Sequence, residues 1–242
     1  MTAPTGSGDP ASPVSAAGAV GRPPAVRVSG VHKWYRRAAE RVHALRGVDL
    51  ELHAGEVVAL IGPSGSGKST LLNVLCGWER PDDGVLELGE GFSARDPARL
   101  PWSELSIVPQ ALGLLEDLTV RENVGLPARL VRRHRELAER VDALLARFGI
   151  DHLAERMPYE TSLGEQQRTA VARALVLSPR LVLADEPSSH QDARRSAVVY
   201  EALREAAAGG AAVLVATHDE EAYDYLDRIL EVREGELRLI AA

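Results

Sequence analysis

Cysteine is nearly absent: Cys76 is the single one in 242 residues, which excludes an internal disulfide and removes any need for an oxidising compartment. Aromatic residues are scarce at 4%, so the core must be built from aliphatic side chains. Positive charge is in deficit, with 28 Lys and Arg against 35 Asp and Glu and a formal net charge of -7. That balance argues against a dedicated nucleic-acid binder, which would present a net basic face. Lysine itself is reduced to Lys33 and Lys68 in a chain that otherwise uses arginine. No apolar run approaches the roughly 20 residues that cross a bilayer, so any membrane span must come from a partner. Residues 1–24 lack large apolar side chains, and they lack the basic start and apolar run of roughly 7 to 15 residues that mark a secretory signal. Rich in Pro, Gly, Ser and Ala, they are predicted to form a disordered tail on a chain that stays inside the cell.

What is present fits one sizeable core, residues 25–242, with a subdomain inserted in it. Alternating apolar residues around Ala25 to Val31 and Val48 to Leu52 predict edge or antiparallel strands, and the run Val57 to Ile61 predicts a buried strand. A helix is predicted from Lys68, carrying Leu71, Leu72, Val74 and Leu75 on one face, and Pro81 to Gly84 mark a turn. From about 101 to 175 the pattern becomes helical, with apolar spacing through Leu137, Val141, Leu144, Leu145 and Phe148; this is the expected inserted subdomain. The charged stretch 129–140 alternates with apolar positions at helical spacing and reads as a solvated helix face. Two further buried strands, Leu181 to Ala184 and Ala212 to Ala216, each run into polar residues. In an open parallel sheet ligands bind at the carboxyl ends of strands, so these ends should converge on one crevice.

The segment Gly62-Pro63-Ser64-Gly65-Ser66-Gly67-Lys68-Ser69 fits G-x-x-x-x-G-K-[ST], and it stands between a predicted strand and a predicted helix, as that motif requires. Its glycines let successive backbone N–H groups and the following helix terminus point at phosphate oxygens, while Lys68 neutralises them and Ser69 can ligate magnesium. Use of one of two lysines here fits the need for an ammonium point charge. After Leu181 to Ala184 come Asp185 and Glu186, a carboxylate pair at a strand end. Asp185 would hold Mg2+, directly or through water, and Glu186 would orient and polarise the water that attacks the terminal phosphate.

The stretch Ser162-Leu163-Gly164-Glu165-Gln166-Gln167-Arg168, followed by Ala172-Arg173-Ala174-Leu175, resembles the signature segment of the ABC ATPases, and the resemblance covers nearly everything after residue 25. It implies an α/β fold: a P-loop NTPase ABC ATPase core, mainly parallel with antiparallel N-terminal strands, plus a helical subdomain. By resemblance, Gly62, Ser64, Gly65, Ser66, Gly67, Lys68, Ser69 and Thr70 hold ATP, and Tyr35 stacks on its adenine. Gln110 joins Ser69 and Asp185 around the metal, and Glu186 and His218 are catalytic. Plainer alternatives stay open: Tyr35 as a half-buried strand aromatic with Trp34 as the stacker, Gln110 as a surface amide, His218 as a core histidine. The family further implies a second ATPase subunit, in a homodimer or heterodimer, with Ser162, Gly164 and Asp192 serving the nucleotide of the partner. The remaining partner is an integral membrane permease, which would hold the chain on the inner face of the cell membrane.

Ala44 to Val48, Leu114-Leu115, Leu118-Thr119, Glu122 to Val124 and Pro127 resemble the branch of lipoprotein-release, macrolide-export, peptide-resistance and cell-division ATPases, whose permeases have few spans. Two departures fall on the expected dimer face. Leu163 stands where the family has glycine, a residue strained by roughly 1 to 2 kcal/mol if the backbone there is left-handed. His190 and Gln191 replace the usual residues before Asp192. Two functions are therefore weighed: an ATPase driving extrusion or extraction through a permease, favoured by the intact Glu186 and His218, and a low-turnover regulatory module setting the conformation of a membrane partner and so controlling an extracytoplasmic enzyme, favoured by Thr161, Leu163, His190 and Gln191.

Overall fold

The computed structural model describes residues 23–37 and 40–242; the tail expected over residues 1–24 lies outside them but for its last two residues. Strands β1 (Val26–Arg37), β2 (Glu40–Leu52) and β4 (Asp83–Leu88) form an antiparallel sheet in the order β2-β1-β4. The second sheet has the order β5-β6-β7-β3-β8-β9, from β3 (Val57–Ile61), β5 (Leu105–Val108), β6 (Leu181–Asp185), β7 (Ala212–Ala216), β8 (Arg228–Arg233) and β9 (Glu236–Ala241). Its strands pair in parallel except for β9, which turns back on β8. Strands β6 and β7 are buried at every position. Their uninterrupted apolar runs are what a parallel strand covered on both faces requires.

Side chains that alternate along these strands divide the interior in two. Leu181 and Leu183 of β6 face the antiparallel sheet and pack with Val28, Leu50 and the buried face of α1 (Lys68–Leu75). Val182 and Ala184 face the other way, toward α2 (Val120–Leu130), α3 (Ala138–Arg147), α4 (Leu163–Leu175) and α5 (Ala193–Ala208), through Val124, Leu145, Phe148, Val171 and Tyr200. The first core thus seats the helix that follows the glycine-rich loop. The second seats α5, which follows the carboxylate pair, and α4, which carries the signature-like segment itself.

Two expectations from the helical pattern are corrected. Leu105–Val108 falls inside the segment read as helical from 101, yet it is a strand of the parallel sheet, with Leu105 opposite Leu181 and Val108 opposite Ala184. A buried apolar run of four residues is too short for periodicity to separate strand from helix. The stretch 129–140 is not one helix: α2 ends at Leu130 and α3 starts at Ala138. Arg132 takes the left-handed conformation at φ 59, and the Arg133 N–H reaches back to the Ala128 carbonyl at 2.8 Å, a helix-terminating geometry that overrides the charge pattern.

Buried polar side chains hold the loop between β5 and α2. Asn123 is fully buried; its Nδ2 donates to the carbonyls of Leu115, Leu118 and Thr119, and its Oδ1 accepts from the Leu115 N–H at 2.8 Å. From α4, Arg173 donates to the carbonyls of Gly113 and Leu112, both at 2.7 Å. Thr119 and Glu122 close a reciprocal cap at the start of α2, satisfying two N–H groups that the helix leaves open. Gln110 stands at the fixed root of this loop, two residues past β5.

Candidate functional site

Strands β6, β7 and β3 are neighbours, and their carboxyl ends carry Asp185-Glu186, Thr217-His218 and the glycine-rich loop. The loop takes conformations open to glycine: φ is 140 at Gly62, 78 at Gly65 and 119 at Gly67, which is also the N-cap of α1. A Cβ on Gly67 would lie 2.6 Å from the Ala44 carbonyl oxygen, so close packing as well as φ demands glycine there. Lys68 Nζ donates to the carbonyls of Gly62 at 2.7 Å and Pro63 at 3.2 Å, folding the ammonium over the loop. Ser66 Oγ is shielded from solvent and has no protein partner, a polar atom left over inside a loop built from backbone donors.

Asp185 is buried at the end of β6, with the Ser69 side chain beside it. Burial raises its pKa, with Glu186 adding to the rise and Ser69 and Lys68 opposing it. Glu186 has φ 52, a conformation few non-glycine residues adopt. Its N–H is bonded to the Ala216 carbonyl at 2.8 Å, tying it to the end of β7. Its carboxylate oxygen lies 2.8 Å from His218 Nδ1. The histidine side chain is 78% exposed and the glutamate 16%, so His218 is no core histidine: it stands over Glu186 at the mouth of a cleft of about 340 Å³ that Ser189, His190, Gln191 and Asp219 also line.

Tyr35 lies near Thr70 of α1; burial raises its pKa and the Thr70 side chain opposes the rise. Trp34, the competing stacker, is engaged elsewhere: its ring stacks on His43 at 4.5 Å and lies under Arg41 at 4.6 Å. Gln110 is exposed just beyond β5, beside the carboxyl end of β6. Ser64 is exposed at the loop tip. Ser162 and Asp192 have local work. Ser162 N-caps α4 in a reciprocal cap with Glu165, and Asp192 N-caps α5, accepting from the Arg195 N–H at 3.0 Å. Gly164 lies against the His190 carbonyl, where a Cβ would come within 3.0 Å.

Leu163 overturns one premise. It is the first residue of α4 and is not among the positive-φ residues, so its backbone carries no left-handed strain. Its side chain is 48% exposed at the start of the helix.

The oxygen donors at the loop suit a hard cation. Among the described residues no group of three or more His, Cys, Asp or Glu is placed to hold a metal. A magnesium ion here would take few protein ligands and complete its shell with phosphate oxygens and water, as Mg2+ does in phosphoryl-transfer sites.

The family model for the ABC transporter matches residues 45–189. The chain belongs to this family. It is an ATP-binding, ATP-hydrolysing α/β protein of the P-loop kind. Among its relatives, the lipoprotein-releasing system ATP-binding protein LolD 2 of Caulobacter vibrioides is 40% identical over 89% of this chain and 97% of its own length. The macrolide export ATP-binding/permease protein MacB of an Azoarcus strain is 36% identical over 88% of this chain, which spans 33% of that longer protein. Both lie in the branch that the short motifs resemble. Among solved structures, the dimeric post-hydrolysis state of the ATP-binding cassette MJ0796 bound to ADP and Pi matches with a TM-score of 0.80 and 29% identity, over 89% of this chain and 98% of that one.

Sequence reasoning missed Gln167. Within the signature segment it is buried to 2% exposure, donates through Nε2 to the Glu186 carbonyl and accepts from Ser189 Oγ at 2.9 Å. Its neighbour Gln166 looks identical in sequence but lies in a partly exposed position and donates to the Pro158 carbonyl at 2.9 Å. Position along the helix separates them: every residue from Gln167 to Leu175 is buried, whereas Gln166 belongs to the partly exposed first turn of α4.

Proposed function

We propose that this chain is the nucleotide-hydrolysing subunit of a release or export system, working as a dimer on the cytoplasmic face of a membrane and energising a separate permease with few spans. The observation that carries the reading is the convergence of the glycine-rich loop, the buried Asp185 and the Glu186–His218 pair at three adjacent strand ends. The relatives named for lipoprotein release and macrolide export support this reading over a low-turnover regulatory module. No described helix is long and apolar enough to cross a membrane, which fits a span-bearing partner.

In this reading the N–H groups of the loop and of the start of α1 receive the phosphates, aided by Lys68 and by the hydroxyls of Ser64, Ser66 and Thr70. Tyr35 offers its ring face to adenine. Ser69 and Asp185, with Gln110, would hold Mg2+, which when bound neutralises charge on the phosphate oxygens. Glu186 accepts a proton from the attacking water, and His218 steadies that carboxylate and reaches the terminal phosphate. Ser162, Gly164 and Asp192 face the nucleotide of a second subunit. Purification of the native complex tests the assignment: a co-purifying integral membrane subunit whose addition stimulates ATP hydrolysis is expected. A native chain recovered alone from membrane extracts, or in complex with nucleic acid, would overturn it.

A further inference from the structure

We infer that Gln167 is a positioning residue for hydrolysis: its side-chain amide fixes the backbone of Glu186 and so aims the carboxylate. The inference rests on the assignment of Glu186 as the base.

Glu186 precedes Pro187, and a residue before proline is disfavoured in the right-handed helical region. Its accessible backbone states are therefore the extended one and the left-handed one, and the structure holds it at φ 52. The two states send the side chain in different directions. In the left-handed state the carboxylate meets His218 at 2.8 Å. Selection of that state needs a partner for the groups it turns inward. The N–H goes to the Ala216 carbonyl, and the carbonyl accepts from Gln167 Nε2. The other end of the same amide accepts from Ser189 Oγ at 2.9 Å, and the Ser189 N–H returns to the Glu186 carbonyl at 3.2 Å. The turn from Glu186 to Ser189 is thus clasped from α4 by one side chain that uses both its donor and its acceptor.

Gln167 is 2% exposed and touches neither the glycine-rich loop nor His218 through any hydrogen bond among the described residues. Its hydrogen bonds reach the site only through the turn from Glu186 to Ser189. Loss of the donor leaves the Glu186 carbonyl bonded only to the Ser189 N–H and lets the residue relax toward the extended state, which moves the carboxylate without removing it. Small misplacements of a catalytic group cost rate far more than binding.

The test is steady-state phosphate release by the full-length chain, with ATP affinity and melting temperature measured on the same samples. Gln167→Met keeps the length and removes both hydrogen bonds; Gln167→Glu keeps the acceptor for Ser189 and removes the donor; Ser189→Ala leaves the contact to Glu186 in place. For Gln167→Met and Gln167→Glu, kcat is expected to fall roughly tenfold to a hundredfold. KM for ATP should stay within about twofold of the parent, which marks a loss confined to the transition state. Ser189→Ala should lose less. If Gln167→Met and Gln167→Glu both turn over at the parental rate while Glu186→Gln is inactive, the positioning role is wrong and the base assignment stands. A fall in kcat and ATP affinity together, tracking a loss of melting temperature, would make Gln167 a packing residue and also overturn the inference. A Glu186→Gln variant that hydrolyses ATP at the parental rate would remove the base assignment and this inference with it.

Discussion

Substituting alanine at two glycines of the same loop should separate a constraint of the fold from a constraint of the ligand. Gly65 has φ 78 and nothing within 4 Å of the place a methyl carbon would take, whereas Gly67 has φ 119 and a methyl would lie 2.6 Å from the Ala44 carbonyl oxygen and 3.3 Å from Leu45 Cδ2. For Gly65→Ala the cost to the free chain is the left-handed penalty of about 1 to 2 kcal/mol, partly offset by the stiffer unfolded chain at about 0.4 to 1 kcal/mol. A net loss of about 1 kcal/mol lowers the melting temperature of a chain this size by roughly 2 to 4 °C. For Gly67→Ala, backbone strain of about 1 to 3 kcal/mol adds to an overpacking cost of about 1 to 3 kcal/mol. The sum, about 2 to 6 kcal/mol, corresponds to roughly 4 to 24 °C. Gly67 also caps α1, so its displacement misaims the N–H groups that follow. Thermal melts and ATP titrations should then show Gly65→Ala folding nearly as the parent but binding ATP more weakly, because in the proposed reading its methyl enters the open space left for phosphates. Gly67→Ala should lose both. A Gly67→Ala variant that melts within about 2 °C of the parent, or a Gly65→Ala variant with unchanged ATP affinity, would refute the reasoning at that position.

Three further outcomes follow from the site. Lys68→Ala should greatly weaken ATP binding, and it should also loosen the loop, since the ammonium holds the Gly62 and Pro63 carbonyls; unchanged affinity in a nucleotide titration would count against the phosphate role. Glu186→Gln should retain ATP binding, accumulate an ATP-bound dimer by size exclusion and lose roughly 10² to 10⁴-fold in hydrolysis rate, the range for general-base help; parental turnover would show that Glu186 is not the base. Because Leu163 is helical rather than left-handed, Leu163→Ala and Leu163→Gly should change phosphate release by the assembled complex to the same extent, both acting through loss of side-chain bulk; a rate gain specific to glycine would mean that the backbone at this position changes conformation in the closed dimer.

Much of the site was legible because its chemistry is local in sequence. Gly62 to Ser69 carries strand end, loop and helix start in one run, and β6 delivers Asp185 and Glu186 as adjacent residues, so spacing alone fixed their neighbourhood. The strand Leu105–Val108 was not legible, because its identity rests on pairing with the distant Leu181 to Ala184, and four apolar residues hold no period of their own. The break between α2 and α3 was hidden for a different reason. Charges at helical spacing persist through 129–140, and only the left-handed Arg132 ends the helix, a conformation that arginine does not announce as glycine would.

The departures on the expected dimer face look different once their packing is known. The glycine missing at Leu163 had implied a strained backbone and a slowed enzyme, yet α4 begins there with Ser162 as its cap. The tightly packed position is Gly164, where a Cβ would lie 3.0 Å from the His190 carbonyl oxygen, and that glycine is kept. His190 itself sits at φ 64, so the substituted residue holds a left-handed turn while its carbonyl faces the signature helix. On one side of that turn Asp192 caps α5, and on the other Ser189 is bonded to Gln167. The segment from Glu186 to Asp192 is therefore anchored at each end to a helix, and the unusual residues His190 and Gln191 occupy the span between the anchors. Gln191 Nε2 reaches back to the Pro187 carbonyl at 3.5 Å, so the altered turn is itself tied to the residue after Glu186, and the Glu186–His218 contact is kept beside it.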